Sequence, residues 1–195
     1  MKKEQFEQLA TVIKNRRSVG WAKMNGKVIP DETVNEILSL ADWAPTHGRT
    51  EPWRFFVYGG AALTQFGKAH ADIYRQHTPE DKYQETTYDK LLHNVDNASH
   101  VVVAVMKRGE NAKIPQPEEV AATAAAIQNI LLGATALGIS SFWSTGGMTN
   151  THALKEYLHL GPEDIIMGLI FLGYTDEPAK QGIRNIALTE KIKWL

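Results

Sequence analysis

Three short stretches of this 195-residue chain bring chemically able side chains close together. Arg16-Arg17-Ser18 sets two guanidinium groups beside a hydroxyl. Arg is always charged and binds oxyanions through two parallel donors, so such a trio suits a phosphate. An Arg at a helix C-terminus also complements the helix dipole, worth about 0.3–1 kcal/mol, and local spacing alone favours that simpler use. Trp43 and His47 flank a break at Pro45, in a loop that runs through Arg49, Thr50 and Glu51 into the β-prone Phe55-Phe56-Val57-Tyr58. Loops held between rigid elements are where ligand-binding groups concentrate. Trp143-Ser144-Thr145-Gly146-Gly147 leaves an apolar run as small polar residues and glycine. Strand ends that open into such turns expose N–H groups to flat or phosphorylated ligands, although glycine there is first of all a turn device.

Other chemistries fit poorly. The histidines at 70 and 77, 93 and 100, and 152 and 159 stand seven apart. On a helix that is about 10 Å of rise, too far for one ion to bridge with bonds of about 2 Å. Gly67-Lys68 is followed by Ala69 where a phosphate loop needs Ser or Thr, and no Gly-x-Gly-x-x-Gly follows a strand. Around Ser144 a hydrolase elbow would need Gly where Phe142 stands, and spacing gives no support to Ser–His catalysis with His47 or His152.

The elements that must position these residues follow from periodicity. Phe6, Leu9, Val12 and Ile13 predict an amphipathic first helix that ends near Asn15-Arg16-Arg17-Ser18. Pro30-Asp31 opens a second, with Val34, Ile37, Leu38 and Ala41 on one face and Pro45 beyond its end. A strand is expected at about Phe55–Tyr58, a helix at about 62–76, a polar and mobile excursion at 77–88, and a further helix at about 87–97. Val101–Val105 reads as a strand covered on both faces. The longest helix, about 118–137, carries Ala121, Ala122, Ala124, Ala125 and Ala126 and is capped by Gly138. Its small side chains allow close approach by a neighbouring helix or a second subunit. Strands at about 139–143 and 165–172 enclose a helix capped by Asn150 or Thr151. The tail has no period yet contains Ile183, Ile186, Ile192, Trp194 and Leu195, which need a surface to cover. This order describes one mixed α/β layer domain spanning 1–195.

Composition narrows the partners. Net charge is −1, so no global basic field draws nucleic acid. There is no cysteine, which removes disulfides, thiolate chemistry and iron–sulfur clusters. No apolar run approaches the roughly 20 residues of a membrane span, and the first residues lack a signal-peptide core, so the expectation is a cytoplasmic protein.

Taken together, Asn15-Arg16-Arg17-Ser18, Ala44-Pro45-Thr46-His47 with Glu51-Pro52-Trp53-Arg54-Phe55-Phe56-Val57, and Gly138-Ile139-Ser140-Ser141-Phe142-Trp143-Ser144 resemble the short, single-domain branch of the FMN-dependent nitroreductase family. The likeness covers nearly the whole chain in element order. It implies an α+β fold with a central mixed sheet flanked by helices, and an interlocked homodimer with FMN at the subunit interface. By that resemblance Arg16, Arg17 and Ser18 hold the phosphate, ribityl chain or pyrimidine edge. Trp43 and His47 reach the flavin of the partner subunit, and Trp143, Ser144, Thr145 and Gly146 lie beside the isoalloxazine. Arg184 completes the phosphate site, and the tail embraces the partner. The implied activity is ping-pong: NAD(P)H delivers hydride to FMN, and a nitroaromatic, quinone or related acceptor then takes the electrons. A non-catalytic FMN-binding protein for storage or sensing would use the same residues.

Overall fold

The run at Val101–Val105 becomes the axis of the fold. The computed structural model describes residues 2–111 and 113–195. In it β2 (His100–Met106) is buried at every position. It pairs with β1 (Trp53–Gly59) on one side and β4 (Ile165–Gly173) on the other, and β4 pairs with β3 (Ser140–Ser144). All three ladders are antiparallel. The one parallel pairing is a bridge between Ser18 and Ser141, which lays the segment after the first helix along β3.

Alternation along β2 feeds two cores. Val102 and Ala104 join Ile170 and Leu172 beneath α2 (Asp31–Ala41) and α5 (Gln116–Ala136). Val101, Val103 and Val105 join Leu169 and Phe171 on the other face, beneath α3 (Gly60–His77) and α6 (His152–Tyr157). The small residues of α5 serve the helix–helix core: Ala126 and Ala134 are fully buried, and a Cβ at Gly133 would come within 2.9 Å of Leu40. Gly138 takes φ +70° just past that helix, the left-handed cap expected of it.

β1 is longer than its apolar run. Lys107 N donates to Pro52 O at 2.7 Å, so β2 carries the pairing back to the proline. The polar stretch expected to be mobile is tied down. Tyr74 and Tyr83 stack at 5.5 Å, Gln84 N donates to the Tyr74 hydroxyl at 3.0 Å, and α4 (Glu85–His93) starts there. α1 (Lys2–Asn15) has no buried residue, and beyond Gly173 the only regular element is a short turn at Leu188–Glu190.

Strand β4 is irregular where it meets β3. The β2–β4 register shifts between Ala104 and Val105, and Gly168 adopts φ +145°. The Trp143 indole lies over it and donates to Met167 O at 2.9 Å. A Cβ at 168 would fall 2.3 Å from the indole nitrogen and 2.8 Å from Ser144 O. Gly168→Ala should therefore lower stability by about 3 kcal/mol, through overpacking and a backbone conformation that side chains disfavour. Urea unfolding checks this, and a loss below about 0.5 kcal/mol would mean that Trp143 is not seated there.

Candidate functional site

After α1 the chain is extended, so successive side chains alternate in direction. Arg16 and Ser18 fall together: Arg16 Nη1 donates to Ser18 Oγ at 3.5 Å. Arg17 is turned to other work. Its Nη1 donates to the carbonyls of Lys14 and Arg16, each at 2.7 Å, and its Nε donates to Lys180 O at 2.9 Å. It both caps α1 and straps the start of the tail. A Cβ at Gly182 would lie 2.3 Å from the Arg17 guanidinium, so glycine there makes room for the strap. Val19 N donates to Ser141 O at 3.0 Å, locking this segment to β3. Beside that bridge the Ser141 hydroxyl is buried with no partner among the described residues.

Three residues further along β3, about 10 Å at strand rise, the chain opens into the turn at Thr145–Gly147. Thr145 and Gly146 are exposed. Ser144 Oγ accepts from Gly146 N at 3.2 Å, and Thr149 Oγ1 donates to Gly146 O at 2.6 Å. Trp143 is half-buried with its N–H engaged, so it frames the turn from the core side. From behind, His70 of α3 accepts from Met148 N at 2.9 Å. His70 is buried, and desolvation of its charged form lowers its pKa to about 4.

Trp43 follows the end of α2 and is 86% exposed. His47 begins a tight turn in which Gly48, Arg49 and Glu51 all have positive φ. Its Nδ1 bonds the Glu118 carboxylate at the start of α5. Ile114, in the segment that follows β2, backs this turn: a Cβ at Gly48 would meet its side chain at 2.8 Å. Buried Glu119 holds that segment by accepting from Arg108 Nη1 and, at 3.1 Å, from Gly109 N. Among the described residues, the side chains of Trp43 and His47 make no hydrogen bond to Arg16 or to the turn at 145–147. Arg184 is exposed, and among the described residues its guanidinium meets only Ile183 O, at 2.9 Å. Of the ten residues singled out in the sequence, only Arg17 and Ser18 line a cleft of about 580 Å³ between the end of α1, the start of β3 and the base of the tail.

Ser99, His100 and Asp31 form a Ser–His–Asp chain, with His100 Nδ1 at 2.9 Å from Ser99 Oγ and Nε2 at 3.0 Å from Asp31. Ser99 is buried and accepts from Ile29 N at 2.7 Å, so no substrate reaches it; the chain pins α2 to β2. Among the described residues no group of three His, Asp or Glu could hold a metal ion, and no helix is long and apolar enough to cross a membrane.

The nitroreductase family profile matches residues 13–174, and the chain belongs to that family. A protein of Archaeoglobus fulgidus, provisionally named NADH dehydrogenase/NAD(P)H nitroreductase, is 30% identical over 174 residues, 87% of this chain and 86% of that protein. The crystal structure of a nitroreductase-like family protein from Bacillus cereus is 27% identical, covers 96% of this chain and 95% of its own, and superposes with a TM-score of 0.83. A protein of Desulfovibrio desulfuricans solved in complex with FMN is 26% identical, covers 94% of both chains and has a TM-score of 0.70.

Sequence reasoning did not single out His70, Glu118, Gly168 or Gly182. A glycine inside the apolar run of β4 was a legible sign of close approach. The others became visible only through contacts across 71 to 165 residues of chain.

His70 yields a pH test. Its folded pKa of about 4 lies below the ordinary value of 6.5, so the unfolded chain takes up the proton first. Stability from this group is fully present above about pH 6.5 and is lost as pH falls toward 4, by about 2–3 kcal/mol. Urea titrations across that window should show the slope in the wild type and a shallower one in His70→Gln.

Proposed function

We propose that the chain is an FMN-dependent oxidoreductase that takes reducing equivalents from NAD(P)H and passes them to nitroaromatic, quinone or related acceptors. The observation that carries the reading is the pairing of Arg16 with Ser18 beside β3, with the exposed turn Thr145–Gly147 at the far end of the same strand. A cation and a hydroxyl at one end suit a phosphate, and an open turn about 10 Å away suits a flat ring. FMN has that shape and charge. The FMN-bound relative from Desulfovibrio desulfuricans supports the same cofactor, and the provisional name of the Archaeoglobus protein supports NAD(P)H as donor.

When bound, FMN supplies the hydride-accepting chemistry itself. The chain's part is to bind, orient and tune. Arg16 and Ser18 give a charge-assisted grip on the phosphate end, and the exposed turn Thr145–Gly147 lies at the ring end. Arg17 contributes by bracing the tail rather than by touching the ligand, and Trp143 by fixing the strand end. No side chain has to transfer a proton; His47, held by Glu118, presents its Nε2 as a contact.

The site is completed by a second subunit in this reading. Phe6, Leu9 and Ile13 are exposed on α1, and Trp43, Ile183, Ile186, Leu188 and Trp194 are exposed as well, apolar side chains that a second copy would cover. Trp43 and His47 of one subunit then serve the FMN of the other, with Arg184 carried across by the tail. A storage or sensing protein would bind FMN equally but would not be reduced.

Titration with FMN should give a yellow complex whose visible band bleaches on addition of NADH or NADPH under anaerobic conditions. Arg16→Ala should weaken FMN binding by about 10- to 100-fold, the worth of one charge-assisted contact. A protein that stays colourless with excess FMN sinks the cofactor reading, and one that binds FMN without bleaching selects storage over catalysis. For the dimer, Ile13→Asp should shift sedimentation from dimer to monomer and release FMN together with it; a wild type that sediments as a monomer while retaining FMN would refute the shared site.

A further inference from the structure

The turn at the end of β3 is bonded almost wholly to itself. Gly146 N donates to Ser144, Thr149 donates to Gly146 O, Asn150 Nδ2 reaches Thr145 O at 3.5 Å, and Thr151 donates to Met148 O at 2.7 Å before capping α6. Among the described residues, one hydrogen bond ties residues 145–150 to a distant element: Met148 N to His70 Nε2. Gly147, at φ +64°, rests on the same ring, where a Cβ would fall 2.8 Å from both Cε1 and Nε2. Phe66, one helical turn earlier, stacks on the ring with centroids 5.9 Å apart.

Because Nε2 accepts, the single proton of the neutral imidazole sits on Nδ1. That atom is buried and has no partner among the described residues. An unpaired buried donor is a cost that an apolar side chain of similar size would avoid. Packing therefore does not explain a histidine here. What it uniquely supplies is an acceptor for the Met148 N–H, at the point where the turn meets α3.

We infer that His70 is a positioning residue that fixes the Thr145–Gly147 turn against α3 and so sets where the ring end of the cofactor site lies. Its effect on ligand binding rests on the FMN reading above; its effect on the turn does not.

The test compares four variants in the full-length chain. His70→Gln keeps an acceptor near the Nε2 position. His70→Asn has the same amide chemistry but cannot reach it. His70→Leu packs without an acceptor. Ile73→Ala, in the core on the same helix, removes stability without touching the turn. Amide hydrogen exchange at Gly147 and Met148 in the FMN-free protein and the Kd for FMN, from quenching of flavin fluorescence, are measured for each.

His70→Asn and His70→Leu should speed exchange at Met148 and weaken FMN by about tenfold, the worth of one hydrogen bond, while His70→Gln stays near wild type and Ile73→Ala changes neither beyond its global stability loss. Should His70→Leu not fold, the Gln–Asn pair still decides. Equal exchange in the Gln and Asn variants, or the same loosening in Ile73→Ala, overturns the inference. A wild type that does not bind FMN refutes the cofactor reading alone, and the exchange data then judge the role of His70.

Discussion

Everything in this fold answers to the complete burial of β2. A strand with no exposed position must be covered on both faces and flanked on both edges, and no water remains to satisfy its backbone. That requirement places β1 and β4 beside it, α2 and α5 above one face, and α3 and α6 above the other. It also fixes α3 at the depth where His70 meets the end of the β3 strand. The site inherits its geometry from the core because β3, the strand that carries it, is registered to β2 through β4 alone.

The edges of this arrangement are less settled than the centre. Strand β3 pairs with β4 on one side, and on the other receives only the Ser18 bridge. α1 and the tail lie outside both cores and keep their apolar side chains exposed, Trp194 at 92%. Their hydrophobic surface is not used up by folding of one chain. In the dimer proposed above, a second copy would cover that surface. Cofactor binding and assembly would then draw on the same residues, which ties ligand affinity to protein concentration.

Glycine plays two separate parts near the site. At Gly168 and Gly182 it yields space, to the Trp143 indole and to the Arg17 guanidinium, so that two large side chains can hold backbone in place. At Gly147 it supplies a left-handed turn that presses the chain onto His70. In each case the position tolerates only the smallest residue because a larger one on another element already occupies the volume. The same logic separates neighbours in sequence: Arg16 and Arg17 have the same chemistry, yet extended backbone turns one toward Ser18 and the other toward the carbonyls of Lys14 and Lys180.

The sequence by itself determined the elements and the broad class. Local pattern located the six α-helices and four strands of the described residues to within a few positions, because burial of one face or two imprints a spacing on the chain, and left the short 3-10 turns unread. Arg16-Arg17-Ser18, the Pro45 to Pro52 loop and the Gly-rich end of β3 marked the family, now seen over residues 13–174. Local pattern could not say which way a side chain turns. On spacing alone it favoured helix-dipole contacts for the arginines, the family resemblance gave both a cofactor role, and His70 was tested only as a metal ligand. Tertiary structure decided that Arg17 straps the tail, that Trp143 is seated on Gly168, that His47 is held by Glu118, and that the polar stretch after α3 is anchored by stacked tyrosines. The physical reason is that helix and strand spacing is set by neighbours within a few residues, whereas these contacts depend on which distant elements the buried sheet brings together.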